Sequence, residues 1–154
     1  MRALVQRVSR ASVEVQGDEV GSAGPGLLIF LGVSPEDTED DCVYLADRIL
    51  GLRIFGDDAG RFDRSALDVG ADLLVVSQFT LYADTRRGRR PDFQQAAPPA
   101  VAERLYEMML AELGKSGLKV AAGRFGEYMR VELCNEGPVT IMLDTADRRR
   151  SRRG

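Results

Sequence analysis

The chain has 154 residues, 44% hydrophobic and 29% charged, a balance that supports one domain with a real core and excludes a disordered chain. It contains no histidine, which removes Ser-His and Cys-His catalysis, HExxH zinc sites and any histidine general base. The formal charge is −3, but the stretch 146–154 holds five arginines and Asp147, leaving −7 on residues 1–145, so a globally basic nucleic-acid grip is excluded.

From the N-terminus, residues 3–8 and 11–16 alternate apolar and polar, as two half-buried strands do, and Gly17-Asp18 suits the turn after them. The interleaved arginines of MRALVQRVSR leave no uninterrupted signal-peptide core, and no apolar run approaches the roughly 18–20 residues of a membrane span. A cytoplasmic protein is expected. Residues 26–33 are almost continuously apolar and predict a central strand buried on both faces. SPEDTEDDCVYLADRILG reads as a helix capped by Ser34 or Thr38, with Cys42, Leu45, Ala46, Ile49 and Leu50 on one face and Gly51 at its end. A short strand over 52–55, a turn over 56–60 and a returning strand over 61–67 are expected next. Residues 71–81 form a second strong strand, and 84–95 a polar, arginine-rich surface loop.

Pro98-Pro99 opens a second helix with Val101, Leu105, Met108 and Met109 on its apolar face, closed over 114–117. Three late strands are expected at 118–122, 129–133 and 139–144. The predicted architecture is a single α/β domain, residues 1–145, with a mixed β-sheet and two main helices. The tail 146–154, containing DRRRSRRG, is expected to be basic and disordered. Cys42 and Cys134 are far apart with no CxxC partner, which argues against a disulfide scaffold or a cysteine-rich zinc site, and Cys134 reads as a buried small residue.

Two segments could carry chemistry. In VVSQFTLYADTRRGRRP a buried strand delivers Ser77, Gln78, Phe79 and Thr80 near its C-terminal end, where α/β sheets tend to place ligands. It is not a nucleophile elbow, because G-x-S-x-G is absent and no histidine can activate Ser77. Spacing alone leaves open that these are ordinary strand residues. Arg86, Arg87, Arg89 and Arg90 follow, and they fit either the phosphates of an RNA end or a solvated charged loop. In NEGPVTIML, Gly137-Pro138 stands at a strand mouth, where such a pair is ordinarily a simple trans turn.

SQFTL and NEGPVT, together with ALVQRVSRASVEV, GPGLLIFLGV, YLADRILGLRIF, ADTRRGRRPDF and GRFGEYMRVEL, resemble the D-aminoacyl-tRNA deacylases in order and spacing over residues 1–144. The resemblance implies homodimers with a β-rich interface that hydrolyse the ester joining a D-amino acid to the terminal adenosine of tRNA. It implies that Ser77, Gln78, Phe79 and Thr80 surround the scissile ester. Gly137-Pro138 would be a cis pair inserted into the partner's pocket, its carbonyl oxygens facing the substrate α-centre and Arg7 holding its orientation. The backbone N–H of Phe79 would stabilise the developing oxyanion. The terminal 2′-hydroxyl of the tRNA would assist, which suits a chain without histidine. Thr80 as nucleophile ranks second, since no base for it is visible, and Asp84, the nearest carboxylate in sequence, reads as a solvated loop acid.

Arg86, Arg87, Arg89 and Arg90, the tail arginines and Met129 would meet the acceptor end of the tRNA, although core packing explains Met129 as well. No metal, cofactor, membrane or DNA is implied. A wall that rejects L side chains by exclusion cannot exclude the smallest substituent, so glycyl-tRNA, including that mischarged on tRNA(Ala), is expected to react. The competing classes are a non-catalytic dimeric tRNA-binding module and a general serine esterase.

Overall fold

The computed structural model describes residues 1–149. Its order is β1 (Arg2–Val15), β2 (Asp18–Ala23), β3 (Gly26–Gly32), α1 (Glu39–Gly51), β4 (Phe55–Gly56), β5 (Phe62–Arg64), α2 (Ala66–Val69), β6 (Asp72–Ser77), α3 (Pro99–Gly114), β7 (Val120–Ala122) and β8 (Arg130–Asp144), with short 3-10 turns at Phe79–Tyr82 and Thr145–Arg149. This is the expected α/β domain with a mixed sheet and two main helices.

β1 organises the sheet. One of its edges pairs antiparallel with β3 over Arg2 to Val8 and with β2 over Ala11 to Val15, while the other edge pairs antiparallel with β8. β6 then joins β3 in parallel, and β7 joins β6 in parallel. The far end curls back until β2 approaches β7. A Cβ on Gly21 would sit 2.5 Å from the Ala122 carbonyl oxygen, so only glycine allows this barrel-like closure.

Strand β3 separates two apolar clusters, as its unbroken hydrophobic run predicted. Leu27, Ile29 and Leu31 join Leu73, Val75 and the helices on one side; Leu28 joins Val8, Val13, Leu74 and Val76 on the other. Each such side chain contributes about 1.5–3 kcal/mol by leaving water. Helix α1 buries Cys42, Leu45, Ala46 and Ile49 as expected. The Asp41 carboxylate accepts from the Thr38 N–H at 3.0 Å and from its hydroxyl at 3.1 Å, so Thr38 rather than Ser34 caps the helix. Helix α3 buries Leu105, Tyr106, Met109 and Leu113 against the same cluster.

Several expectations are corrected. Residues 3–16 are not two strands, because β8 runs beside β1 for nearly its whole length and pairs across the supposed gap. The returning strand over 61–67 stops at Arg64, where Ser65 and Asp68 close a capping box (Ser65 N–H to Asp68 Oδ2, 2.7 Å) and start a single helical turn. The strand over 71–81 ends at Ser77, since its parallel partner runs out at the Leu31–Ser77 pair, and Phe79 and Thr80 lie on a 3-10 turn. The last two late strands are one continuous β8. Cys134 is exposed, because the inward positions of β8 fall at Val131, Leu133 and Asn135.

The expected disordered tail begins too early. Thr145 donates its N–H to the Met1 carbonyl at 2.9 Å, Ala146 donates to Asp144 Oδ1 at 2.9 Å, and the Arg148 guanidinium lies 5.3 Å from the Tyr44 ring centre. The remainder of that expectation, residues 150–154, lies outside the described residues.

Candidate active site

At the C-terminal end of β6 the chain leaves the sheet. Gln78 donates its N–H to the Leu31 carbonyl at 2.7 Å, the last bond in the β3 direction, and the 3-10 turn begins. Within that turn the Leu81 N–H reaches the Gln78 carbonyl, so the N–H groups of Phe79 and Thr80 are its unpaired leading donors and take no hydrogen bond among the described residues.

Ser77, Gln78 and Phe79 form one wall of a cleft of about 550 Å³. The segment before α3 supplies Phe93 and Ala96 to Pro98, the first turns of α3 supply Pro99, Ala102 and Tyr106, and the loop after β7 supplies Phe125 and Gly126. Phe79 is 58% exposed and meets Phe93 edge to face at 4.9 Å between ring centres. The lining contains no Asp, Glu, Lys or Arg. Its one ionisable group is Tyr106, whose hydroxyl donates to the Val75 carbonyl at 2.9 Å and whose pKa burial pushes up to about 12. Among the described residues no group of three or more cysteines and acids could hold a metal ion.

Thr80 stands outside this lining. Its hydroxyl oxygen accepts from the Gln78 side-chain amide, an uncharged partner, and no carboxylate or amine hydrogen-bonds to it among the described residues. Met129 is also outside. It is half-buried, packs on the Val8–Leu28–Leu74 cluster, and its sulfur fills the space beside Gly123. The cleft therefore gathers three of the four expected catalytic residues and not Met129.

Gly137-Pro138 sits elsewhere, on a bulge in β8. The ladder passes from Gln6↔Thr140 to Val8↔Asn135, so Arg7 alone faces residues 136–139. The Gly137-Pro138 peptide is cis, and both residues are exposed. Arg7 underlies the bulge. Its Nε donates to the Glu136 carbonyl at 3.2 Å, a terminal nitrogen donates to the Ile54 carbonyl at 2.6 Å, and the guanidinium lies 5.7 Å from the Phe62 ring centre.

The arginine loop is not uniform. Asp84 and Asp92 exchange backbone hydrogen bonds of 2.8 and 2.9 Å and close it. Arg86 folds back on Asp84, with Nε–oxygen distances of 2.9 and 3.1 Å. These side-chain bonds, joined by the Arg86 N–H, hold the Asp84 pKa down to about 2, so the clasp stays ionised at neutral pH. Asp84 is thus committed to Arg86 rather than free in solvent. Arg87, Arg89 and Arg90 are exposed and make no ion pair among the described residues.

Comparison with known proteins turns this geometry into a lineage. The family described as D-Tyr-tRNA(Tyr) deacylase matches residues 4–144. The chain belongs to the D-aminoacyl-tRNA deacylase family. A D-aminoacyl-tRNA deacylase of Roseiflexus castenholzii is 59% identical over 95% of this chain and 93% of its own length. That of Thermotoga petrophila is 53% identical over 95% and 98%. Among solved structures, one described as a c-Myc DNA unwinding element binding protein is 42% identical, with TM-score 0.88 over 94% of this chain and 98% of its own. One described as a probable eukaryotic D-amino acid tRNA deacylase is 18% identical, with TM-score 0.83 over 92% and 97%, and shares the fold.

Beyond Phe79, the sequence does not single out the aromatic and small residues that line this cleft. Tyr106 lies next to Leu105 in the core stripe of α3, and Phe93 lies in a loop whose composition is polar and arginine-rich.

Proposed function

We propose that this chain, as an ester hydrolase of the D-aminoacyl-tRNA deacylase family, hydrolyses D-aminoacyl-tRNA in the Ser77–Phe79 cleft, using backbone donors and substrate groups in place of a side-chain base. The observation that carries this reading is the uncharged cleft wall beside the unpaired N–H groups of Phe79 and Thr80. The terminal adenosine lies against the aromatic wall, where base stacking contributes about 1–3 kcal/mol. The ester carbonyl oxygen, gaining charge as water attacks, is held by the free N–H donors. The tRNA 2′-hydroxyl assists, and the ester bond to the 3′-oxygen breaks to give free D-amino acid and tRNA. Thr80 is the weaker nucleophile candidate, since its hydroxyl meets only an amide.

The active unit in this reading is a cytoplasmic homodimer. β8 pairs only with β1 among the described strands, which leaves its other edge for a second copy. Gly137-Pro138 then enters the partner's cleft and presents main-chain oxygens to the face of the α-carbon that an L side chain would occupy. D residues and glycine pass. The test is release of free amino acid from D-, L- and glycyl-tRNA and from a simple ester. Release from the D and glycyl substrates alone is expected. Binding without release would favour a tRNA-binding module, and cleavage of the simple ester would favour a general esterase.

The exposed arginines guide the acceptor end in this scheme. Replacing Arg87 and Arg90 by glutamine is expected to reduce the salt dependence of log(kcat/KM) by about 0.7–0.9 in slope for each phosphate that is no longer neutralised. Arg86→Gln should reduce it less, because Asp84 already occupies that guanidinium. Salt titrations of the variants check this, and an unchanged slope in the double variant would remove the loop from the RNA interface.

A further inference from the structure

We propose that Asn135 is a positioning residue that aims the Pro138 carbonyl of the chirality wall. This rests on reading Gly137-Pro138 as that wall.

The bulge presents a mechanical problem. Four residues of an edge strand face one residue of β1, so the ladder does not orient their peptide groups. Arg7 fixes the first half by binding the Glu136 carbonyl. It makes no hydrogen bond to Pro138 or Val139. Asn135 spans the mouth instead. Its Oδ1 accepts from the Val139 N–H at 3.0 Å, and its Nδ2 donates to Thr140 Oγ1 at 2.9 Å. That hydroxyl oxygen also accepts from Gln6 Nε2 at 3.1 Å, which ties the staple to β1.

The consequence follows from peptide planarity. The Val139 N–H and the Pro138 C=O belong to one trans peptide unit and point in opposite directions. Turning the N–H inward to Asn135 turns the carbonyl outward, away from the mouth of the bulge. The acceptor atom at 135 aims the peptide, and the amide donor at the other atom ties the staple to Thr140. Asparagine does both, aspartate only the first, and alanine neither.

The readout is the ratio of kcat/KM for D- over L-aminoacyl-tRNA, measured with thermal melting for wild type, Asn135→Ala, Asn135→Asp and Arg7→Ala. Asn135→Ala is expected to lower the ratio at least tenfold, and Asn135→Asp, which keeps the acceptor, to recover most of it. Loss of fold stability alone would lower both rates together and leave the ratio unchanged. If Arg7→Ala lowers the ratio and Asn135→Ala does not, the role of Asn135 is overturned and the wall stands. If neither variant moves it, the wall reading itself falls, and this inference with it. Should Asn135→Ala fail to fold, Asn135→Ser, which cannot span the mouth, carries the same two outcomes.

Discussion

Gly137→Ala is expected to lower kcat/KM on D-aminoacyl-tRNA about 100-fold, the scale of a misplacement near 1 Å at a reacting centre. The backbone at this position has φ = +123°, a region that side-chain-bearing residues avoid at a cost of about 1–3 kcal/mol. The added methyl also has nowhere to go. It would lie 2.9 Å from Val139 Cγ2 and 3.0 Å from a terminal nitrogen of Arg7. Both neighbours hold the bulge, so relief comes by moving the wall or by expelling Arg7 from the Glu136 carbonyl. The damage should stay local, because Gly137 is exposed on a bulge outside both apolar clusters. Steady-state kinetics beside thermal melting checks this. A variant that melts like wild type and keeps full D-selective activity would show that the pair has no part in the reaction.

The second large effect is expected from Ala102→Phe. Ala102 stands one turn before Tyr106 on α3, and both face the cleft. A phenyl ring there would project into the space assigned to the terminal adenosine. Hydrolysis is expected to fall about 100-fold or more, mainly as a higher KM, because the Ser77–Phe79 segment is left unchanged. The cleft is open to solvent, so overpacking should cost less than the roughly 1–3 kcal/mol seen in closed cores. KM and kcat on D-aminoacyl-tRNA separate the cases. An unchanged KM would mean that the substrate binds elsewhere.

These two positions differ in how far the sequence revealed them. Gly137 stood out as half of a Gly-Pro pair at a strand mouth. Ala102 did not, because an alanine in the first turns of a helix carries no pattern beyond good helix propensity. Ser77 and Gln78 were placed at the end of a buried strand, and the structure puts them there. The sequence places Phe79 and Thr80 on the same strand, which it runs through to Leu81. Only the end of the pairing with β3 bends them into a 3-10 turn and frees their N–H groups. The arginines were legible as a basic loop, but not that Arg86 is spent on Asp84. Sequence separation says nothing of which way an exposed guanidinium folds.

By itself the sequence determined what depends on local pattern: the alternation of β1, the doubly buried run of β3, the stripes of α1 and α3, and the absence of a histidine base. Those properties reside in neighbours along the chain and in periods of 2 and 3.6 residues. Tertiary structure decided what depends on partners distant in sequence. β8 is one strand because β1 pairs with it on both sides of the bulge. Arg7, Ile54, Phe62 and Glu136 meet because β1, β5, β8 and the loop after α1 converge. The cleft exists because the end of β6, the start of α3 and the loop after β7 share one rim. Register and convergence are set by packing the whole core at once, so a local window of sequence cannot contain them.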